Sequence, residues 1–329
     1  MDLDQLPKTA EALVHDPKNN TLRLEDLPVP QRTDNDTEHI IQVRAVALTN
    51  GELAWPEPAT QDHPVPGYEM AGVVAVAPPE SPFSRGTEVY ARTGFGRPGS
   101  ARSFSVATTA ELGRKPSNIT WEEAATVPLS ALTAWQALFV HGGLAAPRSD
   151  EAPGTNAGKR VLVTAAAGGV GQWAVQLARL AGAHVVGTSG PGNVAFVRGL
   201  GADEALDYTA VDLVAWAAPA GRKFDLVVDC VGGRTLEQAW LAAAPGGTVV
   251  SVALPAALKR PAEGVAPGVR DVWFIVEENR RQLDEITRLL ESGRTRAAYD
   301  SVFGLADYEA AFQKVSSGHV RGKVVLRIS

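Results

Sequence analysis

A glycine-rich turn followed by a helix is the strongest chemical signal in the sequence. The turn follows an apolar stretch at 161–163 and reads Ala166-Ala167-Gly168-Gly169-Val170-Gly171, the G-x-G-x-x-G pattern with alanine in the first place. Gly168 lets the backbone approach a pyrophosphate, and Gly171 lets the helix pack closely on the strand. The helix that follows is predicted to be amphipathic, with Trp173 and Leu177 on its apolar face and Gln172 and Gln176 on its polar face. Its N-terminus offers free N–H groups to a phosphate. The turn therefore predicts a dinucleotide site.

The end of the next predicted strand, 183–187, indicates which dinucleotide is bound. Thr188 and Ser189 follow it, about twenty residues past the turn, where NAD-binding proteins commonly place an acidic residue on the ribose 2′-hydroxyl. A carboxylate there would repel a 2′-phosphate, whereas hydroxyl and backbone N–H groups can donate to it. This position favours NADPH over NADH.

Length and composition predict an ordinary two-domain protein. The chain has 329 residues and a net charge of −6, which argues against a nucleic-acid-binding surface. Its one cysteine, Cys230, excludes a disulfide framework. No run reaches the ~18 apolar residues of a membrane span, and the first ten residues lack an apolar signal core. We expect a cytoplasmic protein.

The pattern of elements changes near residue 128. The first third has the alternation and short apolar runs of β-strands, whereas alanine-rich helical patterns then alternate with β-branched strands, which is typical of a parallel sheet covered by helices. Two Pro- and Gly-rich segments, 144–158 and 255–268, are predicted as loops. The predicted later elements are strands at 160–164, 183–187, 224–229, 247–252 and 271–276, helices at 278–292 and 307–315, and a closing strand at 323–328.

Six motifs in order give the chain a family resemblance. They are Pro66-Gly67-Tyr68-Glu69-Met70-Ala71-Gly72, 130–135, the glycine turn, Gly201-Ala202-Asp203 with Asp207-Tyr208, 229–233 and 322–326. The sequence resembles the zinc-independent quinone oxidoreductase-like branch of the medium-chain dehydrogenase/reductase superfamily. Its general sequence character also resembles the fungal members of this branch, many of which are secondary-metabolism enzymes. The resemblance implies an α/β fold: a Rossmann doubly wound parallel sheet domain at 130–276, inserted in a GroES-like catalytic β domain at 1–129 plus 277–329. It also suggests a homodimer, with residues 271–276 as a plausible interface.

The resemblance assigns further residues to the cofactor. Tyr208 matches a tyrosine that lies by the 2′-phosphate in NADPH-preferring relatives. Those relatives usually carry a lysine shortly after the second strand, but residues 190–193 contain none; the Asn193 amide could donate instead. The full predicted cofactor set is Thr133, Ala166, Gly168, Gly169, Val170, Gly171, Thr188, Ser189, Asn193, Tyr208, Val231, Phe274 and Ile275, the last two as the end of the final strand of the domain.

The expected metal site of the superfamily lacks its ligands here. Zinc alcohol dehydrogenases carry Gly-His-Glu and an earlier cysteine, whereas this chain has Gly67-Tyr68-Glu69 and, near the cysteine position, Asn50. A phenol and an amide are poor zinc ligands. We therefore expect no metal and, without that Lewis acid, hydride transfer from NADPH to an activated C=C bond of an enone or enoyl group, or to a quinone.

Several assignments stay open between an active and a structural role. Tyr68 either donates a proton or forms a pocket wall, and Asn50 either orients substrate or accommodates a turn before Gly51. Glu69 is expected in a structural contact and Cys230 as a small core residue. Arg92, Arg97 and Arg102 are expected to be solvated loop arginines.

The sequence allows two rival functions beside a reductase of free small molecules. One is a trans-acting enoyl reductase that serves a polyketide synthase with the same hydride chemistry on a carrier-bound chain. The other is an NADPH-binding protein with a structural or regulatory role. The pocket is built from loops, so the sequence does not identify the substrate.

Overall fold

The computed structural model describes residues 6–33, 36–55, 63–147 and 156–328. The chain divides into two compact units. The first unit comprises Met1–Leu129 and Glu278–Ser329, and the second comprises Ser130–Glu277. Residues 148–155 of the predicted loop at 144–158 lie outside the described residues.

The described chain contains fifteen strands and eight α-helices. The strands are β1 (Thr9–Asp16), β2 (Thr21–Pro28), β3 (Glu38–Leu48), β4 (Glu69–Val76), β5 (Glu88–Arg92), β6 (Phe104–Thr108), β7 (Leu112–Arg114), β8 (Arg160–Val163), β9 (His184–Ser189), β10 (Glu204–Asp207), β11 (Phe224–Asp229), β12 (Ala243–Ser251), β13 (Arg270–Trp273), β14 (Tyr299–Gly304) and β15 (Lys323–Arg327). The helices are α1 (Trp121–Ala125), α2 (Pro128–Trp135), α3 (Gly169–Leu180), α4 (Val194–Gly199), α5 (Leu213–Ala217), α6 (Gly233–Ala242), α7 (Arg280–Glu291) and α8 (Tyr308–Ser316). None of these helices is long and apolar enough to cross a bilayer.

The first unit is built on a mostly antiparallel sheet of seven strands. Its order is β14-β15-β3-β4-β5-β7, with β6 also paired to β3. β15 pairs antiparallel with β3 and parallel with β14, so a strand from late in the chain lies inside the sheet. Alternate side chains such as Ile41, Met70 and Leu326 are buried in one apolar core. β1 and β2 form a separate hairpin that the sequence pattern did not reveal.

The second unit is built on a parallel sheet of six strands. Its order is β10-β9-β8-β11-β12-β13, and every pair is parallel. This is the 3-2-1-4-5-6 order of the Rossmann fold, in which ligands bind at the carboxyl ends of the strands. The central strands β8 and β11 are almost entirely buried, as expected for a sheet covered by helices on both faces. The predicted fold class is confirmed.

The packing of α3 differs from its predicted pattern. Trp173 and Leu177 are buried as expected. Gln172 and Gln176, predicted on the polar face, are also buried, and Gln176 Nε2 donates to the Gln172 carbonyl at 3.1 Å. The prediction of a polar face was wrong because residues 171–178 are enclosed on all sides. The helix next to the glycine turn is therefore fixed along most of its length.

Candidate active site

The turn after β8 has the backbone that a phosphate site requires. Ala165 adopts a left-handed conformation with φ 47°, and the Ala166 N–H donates to the Thr188 carbonyl at 2.8 Å. Gly168 is the extended residue before α3, without a side-chain cap on the helix. The first N–H groups of a helix have no intrahelical acceptor, so residues 169–171 present donors and the positive end of the helix dipole to a ligand.

Gly171 is required by close backbone packing at this turn. A Cβ at position 171 would lie 2.2 Å from the Ala165 carbonyl oxygen and 2.8 Å from Ala166 Cα. At Gly168 an added Cβ would meet only the Ala165 oxygen, at 3.2 Å. Of the two positions, 171 therefore has the stronger structural requirement for glycine, and 168 leaves its backbone open to a ligand.

The structure brings Thr188, Ser189 and Tyr208 together at the ends of β9 and β10. The Tyr208 N–H donates to the Ser189 carbonyl at 3.1 Å, and the Ser189 hydroxyl donates to the Gly190 carbonyl at 3.2 Å. The Tyr208 side chain is exposed beside Gly190. Asn193 ends the next 3₁₀ turn, Pro191–Asn193. Ser189, Asn193 and Tyr208 therefore all lie around Gly190, where a 2′-phosphate is expected.

A carboxylate also lies near this position, but it faces another partner. Asp207 is the strand partner of Ser189. Its Oδ1 accepts the Thr209 N–H at 2.9 Å and the Thr209 hydroxyl at 2.7 Å. Both bonds tie Oδ1 of the carboxylate to its own turn. Asp207 ends β10, whereas the acidic ribose ligand of NAD-binding proteins follows the second strand of the fold, which here is β9.

Asp229 organises the neighbouring strand ends, a role that the sequence pattern did not reveal. Its Oδ1 accepts the Thr164 hydroxyl at 2.9 Å, and its Oδ2 accepts the Ser251 hydroxyl at 3.0 Å and the Gly232 N–H at 2.9 Å. Asp229 is fully buried, whereas Val231 in the following loop is exposed. The carboxylate thus ties together the ends of β8, β11 and β12 and fixes the start of the loop that exposes Val231.

Phe274 and Ile275 lie just past the last strand instead of ending it. The predicted strand at 271–276 was too long, because β12 ends at Ser251, the partner of Trp273. Gln136 holds the following chain: its amide accepts the Glu277 N–H at 3.0 Å and donates to the Glu277 carbonyl at 2.9 Å. Ile275 is 59% exposed and so remains free to meet a ligand.

A π-helix, Gln136–His141, supports the same segment. π-helical turns are rare and often occur at functional sites. The His141 ring packs against Phe274 with centroids 4.4 Å apart, and burial lowers the pKa of His141, which favours the neutral ring. Thr133, one helical turn before, is buried. The predicted residues Thr133 and Phe274 are thus linked through one short stretch of helix.

In the first unit, Tyr68 lies in a cluster of three aromatic rings. Its ring centroid is 5.0 Å from Phe95 and 5.9 Å from Trp55, and those two are 5.1 Å apart. Tyr68 is 7% exposed, and Trp55 and Phe95 are half-buried. Gly67 before it has φ 85°, and a Cβ there would lie 2.5 Å from the Val46 side chain. Only glycine fits this turn, which sets the direction of Tyr68.

The arginines that were predicted to be solvated are instead held by ion pairs or hydrogen bonds within the protein. Arg92 is buried, pairs with Glu278 at 3.1 Å and lies 4.1 Å from the Phe95 ring centroid. Arg102 is buried and donates to the Pro28 carbonyl at 2.9 Å. Arg97 pairs with the buried Glu111. The solvated prediction was wrong because Gly-rich spacing revealed the loop but not the two acids and the Pro28 carbonyl that bind these side chains.

Asn50 and Tyr68 adjoin a buried charged group of residues that we name the Lys323 cluster: Thr49, Glu52, Glu69 and Lys323. Lys323 Nζ lies 2.7 Å from Glu69 Oε1 and donates to the Thr49 hydroxyl at 2.7 Å. Glu69 Oε2 accepts the Leu129 N–H at 3.0 Å. Glu69 therefore makes the structural contact expected of it, while Asn50, between Thr49 and Glu52 in the chain, is exposed.

Known proteins match this chain over nearly its full length. A probable zinc-binding mitochondrial oxidoreductase of Arthroderma benhamiae is 46% identical over 327 residues, which cover 98% of each chain. A chloroplast envelope quinone oxidoreductase homolog of Arabidopsis thaliana is 30% identical over 92% of this chain and 93% of the relative. The chain belongs to the medium-chain dehydrogenase/reductase superfamily, as a quinone oxidoreductase-like member. A family profile described as zinc-binding dehydrogenase also matches residues 200–326.

Solved structures agree with the fold of this oxidoreductase. The quinone oxidoreductase of Coxiella burnetii superposes with a TM-score of 0.80 at 24% identity, over 98% of this chain and 100% of that one. The CurK enoyl reductase has a TM-score of 0.76 at 25% identity, over 98% and 99% of the two chains. The architecture is thus shared with reductases of different substrates.

The described residues at the family's zinc position are poor ligands for that ion, although the family profile and the relative from Arthroderma benhamiae carry zinc in their names. The described residues contain no group of three or more His, Cys, Asp or Glu placed to hold a metal. Tyr68 follows Gly67 where zinc relatives have histidine, and Thr49 and Glu69 already bind the Lys323 ammonium. Zinc sites need three or four His, Cys or carboxylate ligands, and this donor set is not such a site.

Cys230 is not placed to act as a nucleophile. Its N–H donates to the Thr164 hydroxyl at 2.9 Å. Burial and the neighbouring Asp229 raise the pKa of the Cys230 thiol. The reactive thiolate is therefore disfavoured.

Proposed function

We propose that the protein is an NADPH-dependent, zinc-independent reductase that transfers a hydride to an activated C=C bond of an enone or enoyl group, or to a quinone. The observation that carries this proposal is the Tyr68 phenol, enclosed by Trp55 and Phe95, at the place of the zinc-binding histidine. A phenol can donate a hydrogen bond to a carbonyl oxygen but cannot replace a metal in alcohol oxidation. Reduction of a conjugated carbonyl suits this residue.

The second unit supplies residues that would hold a nicotinamide dinucleotide. The N–H groups of 169–171 would bind its pyrophosphate, and the hydroxyls of Ser189 and Tyr208 would lie at the 2′-phosphate. Val231, Phe274 and Ile275 would lie by the nicotinamide. When bound, the cofactor supplies the hydride. The absence of an acidic ribose ligand at Ser189, with Asp207 bonded to Thr209, supports the preference for NADPH.

The residues of the first unit would act on the acceptor. When a hydride reaches the β-carbon, negative charge develops on the carbonyl oxygen, and a positioned donor stabilises that charge. The Tyr68 hydroxyl would donate to this oxygen and could then protonate the enolate. The Trp55 and Phe95 rings would exclude water and limit the rotation of Tyr68. Asn50, on the turn beside them, would orient the acceptor.

A Tyr68→Phe variant tests the active role of the phenol. We expect kcat to fall by roughly 100-fold, the usual effect of removing one donor to a developing oxyanion, while the KM for the acceptor changes little. Steady-state kinetics with a soluble enone checks this. A Phe95→Leu variant is the matched control, because it disturbs the ring cluster but keeps the phenol, and it should raise KM more than it lowers kcat. An unchanged kcat in Tyr68→Phe would show that Tyr68 is a pocket wall.

The function itself is tested with purified protein that is analysed for metal and assayed for activity, first as purified and again after treatment with a chelator. We expect NADPH to be oxidised in the presence of quinones or enones, with a lower KM than for NADH and no bound zinc. Zinc at one ion per chain, lost together with activity, would contradict the proposal. Tight NADPH binding without turnover of any acceptor would indicate the structural or regulatory alternative.

A second candidate is the trans-acting enoyl reductase, which the likeness to CurK supports. It differs from the first only in its acceptor, an enoyl chain carried on a protein. Mass spectrometry of carrier-bound enoyl chains after incubation with NADPH separates the two. Turnover of the carried chain without turnover of free enones would favour this candidate.

Assembly and location complete the proposal. β13 is an edge strand of its sheet and exposes Trp273 beside the exposed Ile275, which supports a homodimer through this edge. The sequence predicts the cytoplasm, whereas the relative from Arthroderma benhamiae is named as mitochondrial. We keep the cytoplasm as the proposed location.

A further inference from the structure

The turn after β3 buries an acid whose carboxyl group has no hydrogen-bond partner among the described residues. Glu52 begins the 3₁₀ turn Glu52–Ala54 and is 4% exposed. Neither of its carboxyl oxygens has a hydrogen-bond partner in the described part of the chain. A buried carboxylate without a partner is costly. Glu52 must therefore either bind a cation or keep a proton.

The cation that faces Glu52 is already bound to another acid. Among the described residues, the charges that act on Glu52 are those of Lys323, on β15, and Glu69, on β4. Lys323 Nζ is 2.7 Å from Glu69 Oε1 and donates to Thr49. One ammonium thus balances one carboxylate, and charging Glu52 would leave the Lys323 cluster with an excess negative charge.

The electrostatics of the cluster agree with this geometry. Burial raises the pKa of Glu52 from 4.5 to about 8, against the opposing effect of Lys323 and of the Thr49 and Gly67 N–H groups. Those N–H groups favour the charged form without meeting hydrogen-bond geometry at the carboxyl. Glu52 is therefore mostly uncharged at pH 7.

We infer that Glu52 is a positioning residue, which keeps a proton on its carboxyl and so leaves Lys323 bound to Glu69 and Thr49. Thr49 precedes Asn50, and Glu69 follows Tyr68, so this ion pair anchors the backbone beside both candidate catalytic residues. An ionised Glu52 would compete with Glu69 for the ammonium. The turn at Asn50 and the start of β4 would then lose their common anchor.

The stored proton has a defined effect on stability. Because the pKa of Glu52 is higher in the folded protein than its ordinary value, the folded state holds the proton more tightly than the unfolded state. The resulting stabilisation is complete below pH 4.5 and is lost as the pH rises to about 8. A variant in which Glu52 is replaced by an uncharged residue lacks this pH dependence of stability.

Thermal unfolding of the wild type and of Glu52→Gln between pH 4 and pH 9 tests the stored proton. We expect the Tm of Glu52→Gln to rise relative to the wild type across pH 4.5–8 and then to level off. Glu111→Gln is the matched control: Glu111 is also buried but accepts the Gly94 and Thr108 N–H groups and pairs with Arg97. That variant should lose stability without such a gain. A Tm difference between Glu52→Gln and the wild type that is constant with pH would overturn the inference.

Infrared spectroscopy gives a readout that needs neither activity nor a folded variant. A pH difference spectrum of the wild type should show a protonated-carboxyl C=O band that persists at pH 7 and disappears near pH 8 to 9. This band should be absent from Glu52→Gln if that variant folds. A wild-type spectrum without the band at pH 7 would show that Glu52 is charged and the inference is wrong.

A kinetic measurement tests the positioning role, and this part rests on the proposed function. The kcat of the wild type should fall reversibly as the pH rises through about 8, and Glu52→Gln should lack this fall. If the infrared band is present but both proteins lose activity alike, Glu52 stores a proton without positioning the site. If no acceptor is turned over, the proposed function fails, while the infrared and Tm results still decide whether the proton is stored.

Discussion

A Gly171→Ala variant is expected to destabilise the second unit by about 3 kcal/mol, the upper part of the usual range for overpacking, and to abolish dinucleotide binding. The added Cβ would lie 2.2 Å from the Ala165 carbonyl oxygen and 2.8 Å from Ala166 Cα. Both are backbone atoms of the phosphate turn, so relief of the clash must move the turn itself. The better helix propensity of alanine would offset only about 1 kcal/mol. Calorimetry and a titration with NADPH measure the two effects.

Two other glycines serve as controls for this prediction. An added Cβ at Gly192 meets nothing within 4 Å. The Gly192→Ala variant should therefore have the stability and the NADPH affinity of the wild type. Gly168→Ala should fold, because the one close contact of its added Cβ is at 3.2 Å. It should bind NADPH more weakly, because the Cβ lies where the backbone would approach the pyrophosphate. Wild-type binding by Gly171→Ala would refute the assignment of this turn.

Replacing both acids of the Lys323 cluster is expected to cost about 3–5 kcal/mol, the usual effect of leaving a buried charge without its partner. In the Glu52→Gln/Glu69→Gln double variant, Lys323 would keep the Thr49 hydroxyl but no carboxylate. The single Glu69→Gln change should cost less, because Glu52 can release its proton and pair with the ammonium. Denaturant unfolding of the wild type, both single variants and the double variant gives the coupling between the two acids.

A more exposed ion pair in the same unit is the control for these measurements. Arg280 and Asp284 lie 3.9 Å apart with side chains 39% and 37% exposed, and pairs of this kind contribute about 1 kcal/mol or less. Asp284→Ala should therefore change stability little. If the double variant costs no more than the sum of the single variants, Glu52 does not replace Glu69 as the partner of Lys323.

The sequence predicted the second unit well because its signals are local. A short apolar strand, a glycine turn and an amphipathic helix follow one another along the chain, and the parallel sheet follows from their alternation. The exceptions were also local. β10 was not predicted because it has only four residues, with a charged residue at each end. The strand predicted at 271–276 extended past Trp273 because the sequence does not show where its pairing with β12 ends.

The predicted site residues remain proposals, but the structure adds neighbours that no local pattern contains. The burial of Arg92 depends on Glu278. The pKa of Glu52 depends first on its burial and then on the opposing charge of Lys323, and each of these partners lies far along the chain. Such pairs are set by tertiary contact, and a single sequence gives no sign of which distant acid meets which base. For this reason the loop arginines were misjudged and Glu52 was missed.

The late position of β15 in the chain sets the order in which the two units fold during synthesis. Lys323 reaches Thr49 across 274 residues of chain, and the whole second unit lies between them. During synthesis the second unit is complete before β15 emerges, since domains form as units while the chain grows. Until β15 emerges, Lys323 is not available to pair with Glu69 or to act on Glu52. The first unit, although most of its strands are made earlier, is therefore the last to close.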